Sequence, residues 1–231
     1  MPEVLINSLD GSCFRGYASL PANNRGPGLI VVHDFHGINS SIRSFCHGFS
    51  QAGYIAVCPA LFWRHNNAEQ TPLTGPGKIS AFPFKEFDIA AGERSLLATL
   101  AYLRGAHGCS GKIGVLGYGL GGKLAWLMAA HSDVDCVVIY YGMGLEEVLD
   151  EVREISCPVM LHLAENDKFS SSLIRKKIVS VTKHYDNISA FVYPGAEYGF
   201  VMPEDAGFCS EAASVSTLRT KDFLSEILLR N

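Results

Sequence analysis

The feature that most constrains the fold is a glycine-rich turn between a short apolar run and a helical pattern. The segment reads Lys112-Ile-Gly-Val-Leu-Gly-Tyr-Gly-Leu-Gly-Gly122, and apolar residues at helical spacing follow it. A strand that turns sharply into a helix needs residues that tolerate positive φ and close backbone approach, and glycine does so without a Cβ clash. The segment therefore predicts a strand–turn–helix unit of an α/β protein.

Short β-branched runs alternate with longer segments of helical period along the rest of the chain. Strands are predicted at 14–20, 28–33, 54–59, 112–116, 135–141, 158–164 and 188–193. Helices are predicted at 40–51, 86–103, 120–131, 170–184 and 210–229, the last with Leu218, Phe223 and Leu228 on its core face. This alternation predicts a single α/β domain over residues 1–231, with a mostly parallel sheet of about eight strands and helices on both faces.

Charge and composition limit which kinds of molecule the protein is expected to bind. The net charge of −4 provides no basic surface for nucleic acid or an anionic membrane. The chain has neither a signal-peptide pattern at its start nor an apolar run of about 18 residues. Its seven cysteines are scattered without a CxxC pair, which favours free thiols, and Cys58 and Cys136 are predicted to be buried. We expect a cytoplasmic protein that binds a small molecule and neither nucleic acid nor membrane, and no oligomeric state is predicted.

The glycine-rich turn has two interpretations. Gly117, Gly119 and Gly122 match the dinucleotide fingerprint, but the next strand ends in Ile139-Tyr-Tyr-Gly142, without the acidic residue that binds a ribose. We therefore expect no cofactor. The turn also matches a nucleophile elbow, Gly-x-Nuc-x-Gly, in which Gly117 and Gly121 flank a Ser or Cys on a strained turn. Here glycine stands at the nucleophile position, Gly119.

An elbow predicts two partners in chain order, an acid after a later strand and a histidine after the last strand. Asp167 follows the predicted strand 158–164, but no histidine follows His184. Without a thiolate or alkoxide there is no acyl-enzyme, and without an imidazole there is no ordinary base to activate water. The pattern is that of a hydrolase that lacks both its nucleophile and its histidine base.

Ligands of open α/β sheets bind outside the carboxyl ends of the strands. The side chains predicted to contact a ligand there are Phe35, Phe62, Trp63, Arg64, Tyr118 and Leu120. The segment 66–80, rich in Gly, Pro, Thr and Asn, is either a binding loop or a surface connection.

Six segments carry a family resemblance: Val32-His-Asp-Phe-His-Gly-Ile-Asn39, Val57-Cys-Pro-Ala-Leu-Phe-Trp-Arg64, Phe87-Asp88, Gly114-Val-Leu-Gly-Tyr-Gly-Leu-Gly-Gly122, Tyr140-Tyr-Gly-Met-Gly-Leu-Glu146 and Glu165-Asn-Asp-Lys-Phe169. Over nearly its whole length the chain resembles the dienelactone hydrolases (carboxymethylenebutenolidases) of the α/β-hydrolase fold. The resemblance implies a Cys, Asp and His site with an assisting Glu. By motif the Cys falls on Gly119, the Asp on Asp167, the His on Tyr198 and the Glu on Asp34. The family's two substrate-binding arginines fall near Gly77 or Lys78 and on Met202, so dienelactone itself is a poor substrate candidate.

Several roles remain open for the residues that replace this site. Tyr198 either donates a proton or hydrogen bond to a ligand or is an aromatic plug. Asp34 and Asp167 either form a carboxylate pair or Asp167 caps its loop. His36 either replaces the lost base or is a loop histidine bonded to backbone. Because His33 and His36 lack a third ligand, we expect no metal.

Three functional hypotheses follow. The first is a small-molecule-binding pseudoenzyme of the family. The second is a repurposed enzyme that uses Tyr198, Asp34 and His36 for non-covalent acid–base chemistry on a small carbonyl compound or lactone. The third is a conventional ester or lactone hydrolase.

Overall fold

The structure, a computed structural model, describes residues 3–8, 10–64 and 86–230. The chain forms two compact units, Met1–Ile113 and Gly114–Asn231. The predicted irregular segment 66–80 and the arginine position near Gly77 or Lys78 lie outside the described residues.

The first unit contains four strands and two helices. The strands are β1 (Glu3–Asn7), β2 (Cys13–Ser19), β3 (Gly26–Val32) and β4 (Ile55–Pro59), and the helices are α1 (Ser40–Gln51) and α2 (Ile89–Gly105). Strand β2 pairs antiparallel with β1 and β4, whereas β3 pairs parallel with β4. Both helices begin at a side-chain cap: Asn39 accepts from the Ile42 N–H at 2.9 Å, and Asp88 accepts from the Ala91 N–H at 3.0 Å.

Strand β5 (Cys109–Tyr118) leads into the second unit. The further elements are α3 (Leu120–His131), β6 (Cys136–Tyr140), β7 (Val159–Asn166), α4 (Ser172–Thr182), β8 (Ile188–Glu197) and α5 (Ser210–Leu224). Two 3₁₀ segments, Leu145–Glu147 and Leu149–Glu154, follow β6, and a π turn, Ser225–Leu229, extends α5. Strands β5, β6, β7 and β8 are consecutive parallel neighbours.

The strands form one eight-stranded sheet in the order β1-β2-β4-β3-β5-β6-β7-β8. The predicted mostly parallel α/β architecture is therefore confirmed, with antiparallel pairing only at β1–β2 and β2–β4 among the described strand pairs. Strand β1 was not among the predicted strands. It has a single buried residue, Ile6, so its apolar pattern is too weak to stand out.

The predicted core face of the last helix is wrong at Leu218, which is 61% exposed. The buried face of α5 instead carries Ser216, Thr220 and Leu224, and Leu228 continues it in the π turn. Hydroxyl groups occupy this face because buried polar side chains of the sheet need hydrogen-bond partners there. The apolar spacing was therefore wrong at Leu218 and right at Leu228.

Two of the free cysteines pack as predicted. Cys58 on β4 and Cys136 on β6 are completely buried. Burial raises the pKa of both thiols well above the ordinary range, so they are inert packing groups. None of the described helices is both long and apolar enough to cross a membrane.

Candidate functional site

The carboxyl ends of the four parallel strands of the second unit carry four residues of interest. Gly119 follows β5, Tyr141 follows β6, Asp167 follows β7 and Tyr198 follows β8. Because neighbouring parallel strands end at the same edge of a sheet, this edge is where an α/β protein binds ligands. Asp167 and Tyr198 were predicted for the site, whereas Tyr141 was not.

Gly119 forms the turn between β5 and α3 with φ 53° and ψ −117°. This is the conformation of the first central residue of a type II′ turn, which favours glycine. Its N–H donates to the Tyr140 carbonyl at 3.0 Å, and its carbonyl accepts from the Gly122 N–H at 2.9 Å and the Met143 N–H at 3.0 Å. The backbone thus has the strand–turn–helix geometry predicted for an elbow, with no side chain at its apex.

The other glycines of the motif serve close packing. A Cβ at Gly117 would lie 2.2 Å from the Gly121 carbonyl oxygen, and a Cβ at Gly122 would lie 2.8 Å from the Gly142 Cα. Side chains at either position would collide with backbone. The strand–helix crossing therefore accounts for Gly117 and Gly122 without a bound dinucleotide.

The residues on either side of Gly119 are buried. Tyr118, the last residue of β5, stacks on Tyr140 with ring centroids 5.2 Å apart. Leu120 is the first residue of α3 and is also buried. Their predicted contact with a ligand stays a prediction.

Asp167 lies in the loop between β7 and α4. Its Oδ1 accepts from the Phe169 N–H at 2.8 Å, which is the loop-capping bond considered above. Burial raises the pKa of this carboxyl to about 6, against the opposing hydrogen bonds from Phe169 and Ser170 and the charges of Lys168 and Arg175. A carboxyl with this pKa is half protonated near pH 6 and can both accept and donate a hydrogen bond.

Tyr198 begins the turn after β8 and is 3% exposed. Its ring lies between two others, with centroids 4.8 Å from Tyr141 and 4.6 Å from Phe169. The Lys168 ammonium lies 5.6 Å from the Tyr198 ring centroid. This aromatic packing is the environment expected of a plug.

In the first unit, the loop after β3 is organised by a histidine that was not predicted to belong to the site. His33 is buried, its Nδ1 lies 2.7 Å from the Asp34 carbonyl oxygen, and its Nε2 accepts from the Leu61 N–H at 3.2 Å. Burial lowers the pKa of His33 to about 4, so the ring is neutral with its proton on Nδ1. A histidine within an apolar run gives no sign of such a backbone-bridging role in the sequence.

The predicted residues of this loop are close neighbours. Asp34 is buried, and its Oδ1 accepts from the Phe35 N–H at 2.7 Å. The half-buried His36 ring packs at 4.3 Å from the Phe35 ring. A catalytic role for Asp34 or His36 stays a prediction.

The turn after β4 carries Phe62, Trp63 and Arg64. Phe62 contacts the His33 ring edge-on at 5.0 Å. Trp63 stacks on Phe14 at 5.2 Å, and the Arg64 guanidinium lies 4.0 Å from the Trp63 ring centroid.

Arg64 is also paired with Asp10, with 2.6 Å between Nη2 and Oδ2. Hydrogen bonds from Ser12 and Arg64 hold the pKa of the Asp10 carboxyl far below its usual range. These contacts give Arg64 a structural role, and its predicted contact with a ligand is untested. No group of three or more metal-ligating side chains occurs within residues 3–8, 10–64 and 86–230.

The sequence and the fold are both similar to those of known proteins. The model of the dienelactone hydrolase family matches residues 14–228. A relative from Azospirillum brasilense, provisionally named a carboxymethylenebutenolidase, is 32% identical over 236 residues, which cover 99% of this chain and 100% of the relative. A carboxymethylenebutenolidase of Pseudomonas putida is 31% identical over 226 residues, covering 97% of this chain and 96% of the relative. A Klebsiella pneumoniae crystal structure, provisionally named a dienelactone hydrolase, shares the fold with a TM-score of 0.83 at 22% identity, covering 96% of this chain and 97% of that chain.

Proposed function

The chain belongs to the dienelactone hydrolase family of α/β-hydrolases, and from this we propose that it binds a small molecule at the family's site without acyl-transfer chemistry. It is, in this proposal, a pseudoenzyme of the family. The observation that carries the proposal is Gly119, which occupies the elbow turn at φ 53° and presents no nucleophilic atom.

The position of the base supports the same conclusion. No histidine follows His184 in the sequence, and Tyr198 occupies the turn after the last strand. A phenol packed between the rings of Tyr141 and Phe169 is a poor replacement for an imidazole, because phenols act as acids more readily than as bases. The arginine position of the family at Met202 is a buried thioether, which favours a neutral ligand over an anionic one.

A second candidate function is non-covalent acid–base catalysis on a small carbonyl compound or lactone. It is favoured by Asp167, because a carboxyl with a pKa near 6 exchanges protons readily around neutral pH. Tyr198 would assist as a hydrogen-bond donor, with Asp34 and His36 as further candidates. Conventional ester or lactone hydrolysis is the third candidate, supported by the names of the relatives.

The decisive experiment restores the missing groups. We expect no esterase activity on p-nitrophenyl acetate from the native protein, from Gly119→Cys or from Tyr198→His, and weak activity from the double variant. The matched control pairs Tyr198→His with Gly195→Cys, because Gly195 also has positive φ, at 70°, with no atom within 4 Å of its added Cβ. The control should be inactive, because a thiol must stand on the elbow to react.

Two results would contradict the proposal. One is turnover by the native protein with an acyl adduct trapped on any residue, which supports conventional hydrolysis. The other is turnover abolished by His36→Ala or Tyr198→Phe without an adduct, which supports the repurposed enzyme. Binding is tested separately: a neutral aromatic lactone should raise the melting temperature of the native protein saturably and be recovered unchanged.

A further inference from the structure

A chain of polar side chains, all buried except the half-buried Arg219, links the sheet of the second unit to α5. The Arg219 guanidinium donates to the Tyr193 hydroxyl at 3.0 Å, and that hydroxyl lies 2.8 Å from His162 Nδ1. His162 Nε2 lies 2.9 Å from Thr220 Oγ1, which lies 2.8 Å from the Tyr140 hydroxyl. We call these five residues the His162 chain. None of them belongs to the site predicted from the sequence.

The hydrogen bonds of the His162 chain run in one direction. Arg219 can only donate, so the Tyr193 oxygen accepts from it, and we assign the Tyr193 proton to the bond with His162 Nδ1. The neutral ring then carries its proton on Nε2 and donates it to Thr220. Burial, assisted by the charge of Arg219, lowers the pKa of His162 to about 3, so the ring is neutral at pH 7. Each member has a defined donor or acceptor role.

Two members of the His162 chain, Tyr140 and His162, meet at a single peptide group, the one that joins Tyr140 to Tyr141. The carbonyl of this peptide accepts from the Gly119 N–H at 3.0 Å, and its N–H donates to the His162 carbonyl at 2.8 Å. The Tyr140 side chain ends on Thr220, and the His162 side chain lies at the middle of the chain. The elbow turn is therefore hydrogen-bonded to a peptide group that Tyr140 and His162 hold in place. The side chains of both residues are fixed by bonds of the His162 chain.

The residue after this peptide bond adopts a conformation that needs such support. Tyr141 has φ 39° and is 1% exposed. Bulky residues rarely adopt positive φ, and such strain persists only where the surrounding structure over-determines it. The Tyr141 ring contacts Tyr198 at 4.8 Å, so its orientation bears directly on the candidate site.

We propose that the His162 chain positions the Tyr140–Tyr141 peptide, and through it the elbow turn at Gly119 and the ring of Tyr141. His162, Tyr193, Thr220 and Arg219 are then positioning residues. This positioning does not require a bound ligand. Only its effect on ligand binding rests on the proposed function.

The first test removes the central hydroxyl. In Thr220→Val, which keeps the side-chain shape, we expect amide hydrogen exchange at Gly119 and Tyr141 to accelerate about tenfold relative to the native protein. Thr220→Ser retains a hydroxyl and should restore native exchange. Thr182→Val is the matched control, because the Thr182 hydroxyl is also buried but bonds only within α4, to the Ile178 carbonyl at 2.9 Å. It should leave both amides unchanged.

The second test reads the direction of the bonds from the ring nitrogens of His162 by ¹⁵N NMR. The native protein should have its proton on Nε2. Tyr193→Phe removes the donor to Nδ1, so a fraction of the rings should shift the proton to Nδ1, with faster exchange at Gly119 and Tyr141. Tyr185→Phe removes a tyrosine hydroxyl outside the His162 chain and should change neither.

The proposal is overturned if the native ring carries its proton on Nδ1. It is also overturned if Thr220→Val and Tyr193→Phe both leave exchange at Gly119 and Tyr141 at native rates. Neither test uses an esterase or ligand assay, so a failure of the proposed function leaves these outcomes intact, and the reverse also holds.

Discussion

Two strand-to-helix connections of the molecule, one in each unit, are built by opposite means. The turn from β3 to α1 is built from side chains: the His33 ring bridges two backbone groups, Asp34 bonds the Phe35 N–H, and Asn39 caps the helix. The turn from β5 to α3 depends instead on the absence of side chains, since Gly119 supplies no cap bond and Gly117 packs directly on backbone. The first turn should therefore be sensitive to protonation and lost hydrogen bonds, and the second to added volume.

The contrast matters for function. Turns that bind or react with a ligand commonly carry strain and side-chain chemistry. In this chain the glycine turn has the backbone of an elbow but, with glycine at its apex, little of the strain that a nucleophile would impose. Gly119 itself offers no side chain for covalent chemistry.

The largest effect is expected from added volume in the glycine turn. Gly117→Ala places a Cβ 2.2 Å from the Gly121 carbonyl oxygen and 2.8 Å from the Ala125 Cβ, and neither atom belongs to a flexible side chain that could move away. We expect a loss of about 4 kcal/mol or more of unfolding free energy, measured by urea denaturation. Gly48→Ala is the control: no atom lies within 4 Å of its added Cβ in α1, so it should stabilise the protein by up to about 1 kcal/mol. Equal stability of the two variants would refute the close-packing account.

A smaller but substantial effect is expected from removing the bridging ring in the other turn. His33→Leu leaves the Leu61 N–H and the Asp34 carbonyl without the ring nitrogens that bond them. Because these groups are buried, we expect a loss of about 3 kcal/mol in urea denaturation at pH 7. His47→Leu, at an exposed position of α1, should change stability by less than about 0.5 kcal/mol. A similar small change at His33 would mean that its bonds are replaced by other partners.

The stabilities of the native protein and of His33→Leu should depend differently on pH. The folded pKa of His33, about 4, lies below its unfolded value of 6.5, so the unfolded state takes up the proton first. The stability from the neutral ring is complete above pH 6.5 and is lost as the pH falls toward 4, at about 1.4 kcal/mol per pH unit. The native protein should lose this stability and His33→Leu should not, so the cost of the substitution should shrink in acid. A cost that stays constant from pH 7 to pH 4.5 would show that His33 is not held neutral.

The smallest effect should come from the helix cap. Asn39→Ala removes the bond to the Ile42 N–H and should cost about 1 kcal/mol, whereas Asn39→Ser should keep most of it. Both are measured by thermal or urea unfolding. Equal losses in the two variants would mean that the Asn39 side chain does more than cap α1.

Much of the fold could be predicted because its signals are local. Helices α1 and α3 begin and end where the sequence predicts, since a capping Asn39 and the glycine turn mark their starts. The predicted strands likewise coincide with buried apolar runs such as β3 and β6. The glycine motif predicted the strand–turn–helix unit for the same reason, because close packing and positive φ leave few alternatives to glycine.

The rest depends on contacts between residues far apart in the chain. The core face of the last helix was mispredicted at Leu218 because the buried face carries the Thr220 hydroxyl, which bonds His162 and Tyr140, and a polar helix face is ordinarily exposed. The role of His33 depends on Leu61, which is distant in sequence. The positive φ of Tyr141 has no local signature, because tyrosine does not favour it.

The sequence by itself determined the α/β architecture, the family and the absence of a nucleophilic side chain at Gly119, because each depends on local pattern or on residue identity alone. Only the tertiary structure decided which polar groups are buried together, how the Tyr140–Tyr141 peptide is held, and why the Asp167 carboxyl remains protonated to about pH 6. The physical reason is that burial and long-range hydrogen bonding set protonation and strain, and neither is encoded in the identity of one residue.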